Sequence, residues 1–165
     1  MPLLSIRADR QALLICPGPA DWVKIHVFRI NITGVGGTQA LYTAKVMDHF
    51  KNPRNVGIIQ EPSVLVQVGE PACGDALLLS LKIEDDRIVD VKYKIYGCGA
   101  AIATASVASE MVTGMPLDEV LKITDEVIAA ALDGLPPEKM HCSNMAAGAL
   151  HGAIREYRKA VAAQS

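Results

Sequence analysis

Three cysteines, Cys73, Cys98 and Cys142, each stand in a short context suited to holding a metal, and none lies within C-x-x-C distance of another. Cys73 sits in Pro71-Ala72-Cys73-Gly74-Asp75, Cys98 lies between Gly97 and Gly99, and Cys142 follows His141 and precedes Ser143. Three thiolates, with a carboxylate from Asp75 and an imidazole from His141, can build a tetrahedral site of soft ligands with one or two weaker, exchangeable positions. Such a donor set suits a metal or cluster that is held temporarily. Gly74, between Cys73 and Asp75, lets the chain curl so that both side chains aim at one ion. Alone, Asp75 would read as a solvated turn residue and His141 as a surface histidine; beside the cysteines both become ligand candidates. His26, His49 and His151 lack such neighbours, and Cys16 is read as incidental.

These residues need a frame, and the chain supplies one from Tyr42 onward. Tyr42, Val46 and Phe50 are spaced four apart on one face of a short helix that Asn52-Pro53 ends. After a short strand near Val64 to Val68, Leu77, Leu79, Leu81 and Ile83 alternate with Leu78, Ser80, Lys82 and Glu84, the period of a half-buried strand. Asp85-Asp86 makes a turn, and Val89, Val91, Tyr93 and Ile95 alternate with Asp90, Lys92 and Lys94, predicting an antiparallel hairpin. Ala100 to Val112 is apolar nearly all round, as a buried helix is, with Gly114 as a left-handed cap. Short helices are expected over Leu117 to Lys122 and Asp125 to Leu132, the second capped by Thr124 and stopped by Gly134. Leu135-Pro136-Pro137 cannot continue it, and a last amphipathic helix is expected from Ser143, its cap, to near the C-terminus. On this outline all three cysteines fall in loops or at element ends, where sites on rigid frames are found. Cys98 and Cys142 both stand at predicted helix N-termini, which predicts lowered thiol pKa values and reactive thiolates.

Composition narrows the function classes. With 165 residues, 50% apolar, 4% aromatic and a net charge of -2, the chain fits one main domain without the basic excess that nucleic-acid binding needs. The longest uncharged apolar stretch runs for 15 residues, Ile95 to Ser109. That is short of the roughly 20 residues of a membrane span, so no membrane partner is expected. No secretory signal precedes the cysteines, and a reducing cytoplasm fits them better than a disulfide framework. Residues 1–40 differ from the rest: Pro17, Gly18 and Pro19 break the first part, a strand-like run covers Val23 to Ile32, and Gly34-Val35-Gly36-Gly37 ends it. The glycines lack G-x-G-x-x-G spacing, so they read as a joint and not a dinucleotide site. The prolines argue against a mitochondrial presequence. Residues 1–40 are thus expected to be an N-terminal extension and 41–162 the functional domain.

Five ordered segments resemble the IscU/NifU family of iron–sulfur cluster assembly scaffolds. They are Lys45-Val46-Met47-Asp48-His49-Phe50, Asn52-Pro53-Arg54-Asn55-Val56-Gly57, Pro71-Ala72-Cys73-Gly74-Asp75, Gly97-Cys98-Gly99-Ala100-Ala101-Ile102-Ala103 and Leu135-Pro136-Pro137-Glu138-Lys139-Met140-His141-Cys142-Ser143. The resemblance implies an α+β fold with a three-stranded antiparallel sheet packed by helices, and a site at one end formed by Cys73, Asp75, Cys98, His141 and Cys142. It implies a scaffold and carrier, not an enzyme: a cysteine desulfurase delivers sulfur, iron and electrons from a donor such as ferredoxin arrive, and a transient [2Fe–2S] cluster passes to apo-proteins. By position Cys142 matches the sulfur acceptor and Asp75 the carboxylate that keeps the cluster labile. Zinc often fills such sites adventitiously. Glu138 stands where scaffolds served by a dedicated Hsp70-type chaperone usually carry Val, which argues against chaperone-driven release. The short tail after the last helix predicts a stand-alone scaffold domain in the cytoplasm, or in the mitochondrial matrix of a eukaryote. Two alternatives are a SufU-type zinc-dependent sulfurtransferase, against which the uninterrupted run from Cys98 to Leu135 argues, and a domain with a purely structural zinc.

Overall fold

A computed structural model describes residues 42–70 and 74–163. The N-terminal extension, and with it Cys16, His26 and the proposed boundary near residue 40, lies outside the described residues, as does Cys73. In chain order the elements are α1 (Ala44–Lys51), β1 (Val64–Glu70), β2 (Asp75–Glu84), β3 (Arg87–Tyr96), α2 (Gly99–Val112), α3 (Leu117–Val120), α4 (Asp125–Ala131), a 3-10 turn (Pro137–Lys139) and α5 (Met140–Ala162). The three strands form an antiparallel sheet in the order β1-β2-β3. The fold is therefore the expected α+β arrangement.

Alternation builds the core. Val64, Val66 and Val68 pair with Leu81, Leu79 and Leu77, so one face of β1 and β2 is a continuous apolar surface. Tyr93 and Val91 extend it across β3, and Leu81 and Tyr93 are fully buried. Each such side chain contributes about 1.5–3 kcal/mol by leaving water. Helices α2 and α5 cover this face through small residues, with Ala100, Ala101, Ala103 and Ala108 of α2 and Ala146, Ala149 and Ala153 of α5 all buried. Small side chains let two helix backbones approach closely, which matters because both helices begin at the site. The connection from α1 to β1 pairs with the outer edge of β3, where Val56 bridges to Tyr93, and reaches the opposite face, where the Ile59 amide donates to the buried Ser80 Oγ at 3.2 Å.

The hairpin departs from simple alternation at one residue. Lys82 pairs with Asp90 but Ile83 pairs with Ile88, so Val89 is an extra residue on β3, a β-bulge. Val89 is 44% exposed and Ile88 is fully buried, the reverse of the expected parity. Asp85 and Asp86 both have left-handed φ, +48° and +56°, the signature of a two-residue hairpin turn, and the bulge reconciles that tight turn with the pairing further along.

Helix boundaries show three further differences. Thr43 caps α1 through its Oγ1, which accepts from the Val46 amide at 3.1 Å, so Tyr42 precedes the helix. The buried face of α1 is Val46 and His49, while Phe50 is 39% exposed. His49 tolerates burial because its Nδ1 lies 2.8 Å from Ser106 Oγ. After α2, Thr113 is extended and Gly114 takes the expected left-handed φ, +81°, but its amide donates to Ile88 O at 2.7 Å and not back to the helix, so it also docks the chain on β3. α3 is shorter than expected, whereas α4 is capped by Thr124 and followed by Gly134 at φ +101°. Among the described residues no helix is long and apolar enough to cross a membrane.

The bulge makes a clear test by urea unfolding. Ile88→Ala is expected to cost about 2–5 kcal/mol of stability, while Val89→Ala stays within about 0.5 kcal/mol. Unbroken alternation would give the opposite order.

Candidate metal centre

One end of the sheet carries the site. Asp75 is the first residue of β2, Cys98 is the N-cap of α2 after β3 has ended, and His141 and Cys142 lie in the first turn of α5. The last of these is a correction. Ser143 is not the cap but lies inside the helix, its Oγ donating to Met140 O at 2.8 Å. The helix starts earlier because Pro137, at the head of the 3-10 turn, presets a helical φ and the turn runs directly into α5. Cys142 is thereby drawn onto the helix surface that faces α2.

Four of the five residues singled out from sequence come together. Cys98 Sγ and Cys142 Sγ are 3.6 Å apart, Cys142 Sγ is 3.4 Å from His141 Nε2, and His141 Nε2 is 3.6 Å from Asp75 Oδ2. Among the described residues no group of three or more His, Cys, Asp and Glu side chains is already set to hold a metal ion. The contacts form a chain from Cys98 to Asp75 and not a closed coordination sphere. The donor chemistry nevertheless fits a borderline-soft metal: two sulfurs, one imidazole nitrogen and one carboxylate oxygen, with Cys73 two residues before Asp75 in sequence. Access is graded along the chain. Cys142 is fully buried and Cys98 half-buried, whereas the His141 and Asp75 side chains are 58% and 33% exposed.

Burial decides the state of Cys142. Its thiol is pushed up to about 12, chiefly by burial, then by the hydrogen bond and charge of Cys98 and by the charge of Asp75; Lys139 pulls it the other way. The expected thiolate at the start of α5 is thus overturned for Cys142, because desolvation outweighs the helix end. Binding a metal there must expel a proton, which couples affinity to pH. The backbone of Cys142 is also tied to α2: the fully buried Thr104 lies with its Oγ1 2.9 Å from Ala101 O and 3.3 Å from Cys142 O, sharing one hydroxyl hydrogen between them.

Sequence reasoning gave no place at this end of the sheet to Tyr42, Lys139 and Phe50. Tyr42 packs against Ala100, Ala101 and Cys142, and its phenol is raised first by burial and then by the nearby Cys98. Lys139 is a cation close to both Tyr42 and Cys142. The Phe50 ring lies over Gly99, where a Cβ would stand 3.3 Å from Phe50 Cδ2. Tyr42 and Phe50 share a helical spacing with Val46, and that spacing concealed their place at the site. His49 and His151 take no part: His49 bonds Ser106, and His151 lies on α5 within the helix.

Residues 41–164 match the NifU-like N terminal domain family. The iron-sulfur cluster assembly scaffold protein IscU 1 of Archaeoglobus fulgidus is 52% identical over 117 residues, covering 71% of this chain and 76% of that protein. IscU of Aquifex aeolicus is 48% identical over 118 residues, covering 70% of this chain and 75% of its own. The nitrogen fixation protein NifU of a Nostoc species is 48% identical over 125 residues, which are 71% of this chain but 42% of that longer protein. Among solved structures, the SUF-system assembly scaffold FiSufU of Fervidobacterium islandicum superposes with a TM-score of 0.60 at 24% identity, covering 72% of this chain and 99% of that one, a likeness of fold. The chain belongs to the family of NifU-like N-terminal domains, the one its five sequence segments resemble.

Differential burial predicts the order of thiol chemistry in the metal-free protein. With iodoacetamide and peptide mass mapping, Cys98 is expected to be alkylated before Cys142. The Cys142 rate should still be rising above pH 9, the ordinary value for a thiol. Equal rates that level off near that pH would show that burial does not control Cys142.

Proposed function

We propose that this protein is a scaffold on which an iron–sulfur cluster is assembled and from which it is passed on, and not an enzyme. The observation that carries the reading is the run of contacts Cys98–Cys142–His141–Asp75 at an open end of a rigid sheet, graded from buried sulfur to exposed oxygen. The close relatives named as cluster assembly scaffolds support it. The cluster is cargo, built from iron, sulfur and electrons that partners deliver.

In this reading Cys73, Cys98 and Cys142 supply sulfur ligands, and Asp75 or His141 completes the site. Permanent cluster carriers are held by four thiolates; a site that ends in a carboxylate or imidazole has one ligand that exchanges more readily. Both Asp75 and His141 are exposed enough for an acceptor protein's thiol to replace whichever completes the site, and Asp75 is the one assigned to lability. Cys142 accepts sulfur: the persulfide of a cysteine desulfurase transfers its outer sulfur to the Cys142 thiolate, leaving the desulfurase cysteine as a thiolate. Because Cys142 is buried and protonated at rest, acceptance requires the first turn of α5 to turn it outward and release its proton, with Lys139 the nearby cation that favours the anion. The partners are a cysteine desulfurase, an electron donor such as ferredoxin and apo-proteins that receive the cluster. Glu138 argues against release by a dedicated Hsp70-type chaperone. A reducing compartment, cytoplasm or mitochondrial matrix, keeps the thiols free.

The test is anaerobic reconstitution with iron, cysteine and a desulfurase, followed by visible absorption, Mössbauer spectra and transfer to an apo-ferredoxin. The expected product is a [2Fe–2S] cluster that transfers within the assay. Asp75→Ala should load normally and transfer roughly tenfold more slowly, the scale of effect of a group that tunes a metal site. Unchanged or faster transfer would remove Asp75 from exchange. Cys142→Ser should carry no persulfide by mass spectrometry, and persistence of that mass would move the role to Cys73 or Cys98. A protein that passes sulfur with zinc bound and never forms a cluster would be a sulfurtransferase instead.

A further inference from the structure

The geometry points to Gly97 as a positioning residue for Asp75: with no side chain there, the carboxylate lies against the backbone just before Cys98, which keeps its other oxygen facing His141. This deepens the scaffold reading and rests on it for its biological meaning, though not for its geometry.

Gly97 is not required by its own backbone, because its φ lies outside the left-handed region that favours glycine. What demands glycine is space. A Cβ at residue 97 would stand 2.6 Å from Asp75 Oδ1 and 3.0 Å from Ala101 Cβ, and real Cβ atoms essentially never come within 3.0 Å of a neighbour. The nearest atom is the end of a side chain that can rotate, so the protein can relieve the clash by swinging the Asp75 carboxylate away. Oδ2 would then leave its place 3.6 Å from His141 Nε2. The tighter clash therefore falls on the ligand, while the contact with the fixed Ala101 Cβ asks α2 to give by only a few tenths of an ångström.

Two neighbouring glycines sharpen the contrast. Gly69 on β1 lies on the other side of Asp75, where a Cβ would meet the main-chain Asp75 O at 2.3 Å, and its φ is +80°. Substitution there strikes backbone that cannot yield and damages the sheet. Gly99 meets the Phe50 ring first, at 3.3 Å, and a ring at the end of a side chain can slide. Of the three glycines, only Gly97 presses on a group with coordination chemistry.

The experiment compares Gly97→Ala, Asp75→Ala, the double variant and Gly99→Ala. It measures zinc affinity by competition with a chromophoric chelator, and the thermal midpoint of the metal-free protein. Asp75→Ala and Gly97→Ala should each weaken zinc binding roughly tenfold, the loss expected when a metal ligand is removed or misaimed. The double variant should be no weaker than Asp75→Ala alone, because two changes acting through one carboxylate do not add. Gly99→Ala should bind zinc as the unsubstituted protein does. Wild-type affinity in Gly97→Ala, full additivity in the double variant, or no effect of Asp75→Ala would each overturn the inference. Should Gly97→Ala fail to fold, the amide resonance of Gly97 in nitrogen-15 spectra of the metal-free protein decides. It should shift on Asp75→Ala by more than that of Gly99, and an unmoved Gly97 signal overturns the inference. None of these readings needs a cluster, so a protein that follows the zinc pattern but assembles no cluster keeps the role of Gly97 and loses the scaffold reading.

Discussion

The close approach of α2 and α5 at their N-terminal ends is the constraint on which the site depends. At these ends the contact is made by small side chains, with Cys142 packed directly on Ala100 and Ala101. The sulfurs of Cys98 and Cys142 therefore come within 3.6 Å although 44 positions separate them in sequence. Thr104 reinforces the contact by sharing its hydroxyl between the two helices. A larger side chain at Ala100 or Ala101 would press directly on Cys142, so the core and the site are one packing problem.

That packing sets the chemistry as well. Pressing Cys142 into the interface keeps it protonated and shielded from oxidation, at the cost of immediate reactivity. The exposed end of the donor chain has the opposite properties: Asp75 and His141 are reachable by solvent and by a partner, and bind metal less tightly than thiolate does. In the proposed reading, the buried sulfur end grips the cargo and the exposed oxygen end offers it. Gly97 belongs to this design, since it leaves room for the carboxylate at the exposed end.

Much of this was legible in sequence, for physical reasons. Leu77, Leu79, Leu81 and Ile83 announce a strand because one face of it is buried, and Asp85-Asp86 announces the turn because aspartate tolerates left-handed φ. That Asp75, Cys98, His141 and Cys142 belong near one another was legible because cysteine beside glycine, aspartate and histidine is a chemical statement independent of fold; Cys73 lies outside the described residues. The bulge at Val89 was not legible: the alternation Val89-Val91-Tyr93-Ile95 is real, and only the pairing partner reveals that Ile88 replaces Val89 in the core. The start of α5 was misread because Ser143 is a good cap in isolation, whereas Pro137 nucleates the turn three residues before α5 begins. The state of Cys142 was misread because a helix end is visible in sequence and desolvation is not. The pressure of Asp75 on Gly97 is a contact between β2 and the end of β3 that no local pattern encodes.

The central claim is that sulfur from Cys73, Cys98 and Cys142 converges on a single metal position completed by a light atom. X-ray absorption at the zinc edge, on protein loaded with one equivalent of zinc, tests it most directly. The account predicts three sulfur scatterers at about 2.3 Å and one nitrogen or oxygen at about 2.0 Å, with one sulfur lost in each single Cys→Ser variant. A shell of light atoms alone, or a sulfur count that survives loss of any one of these cysteines, would contradict it.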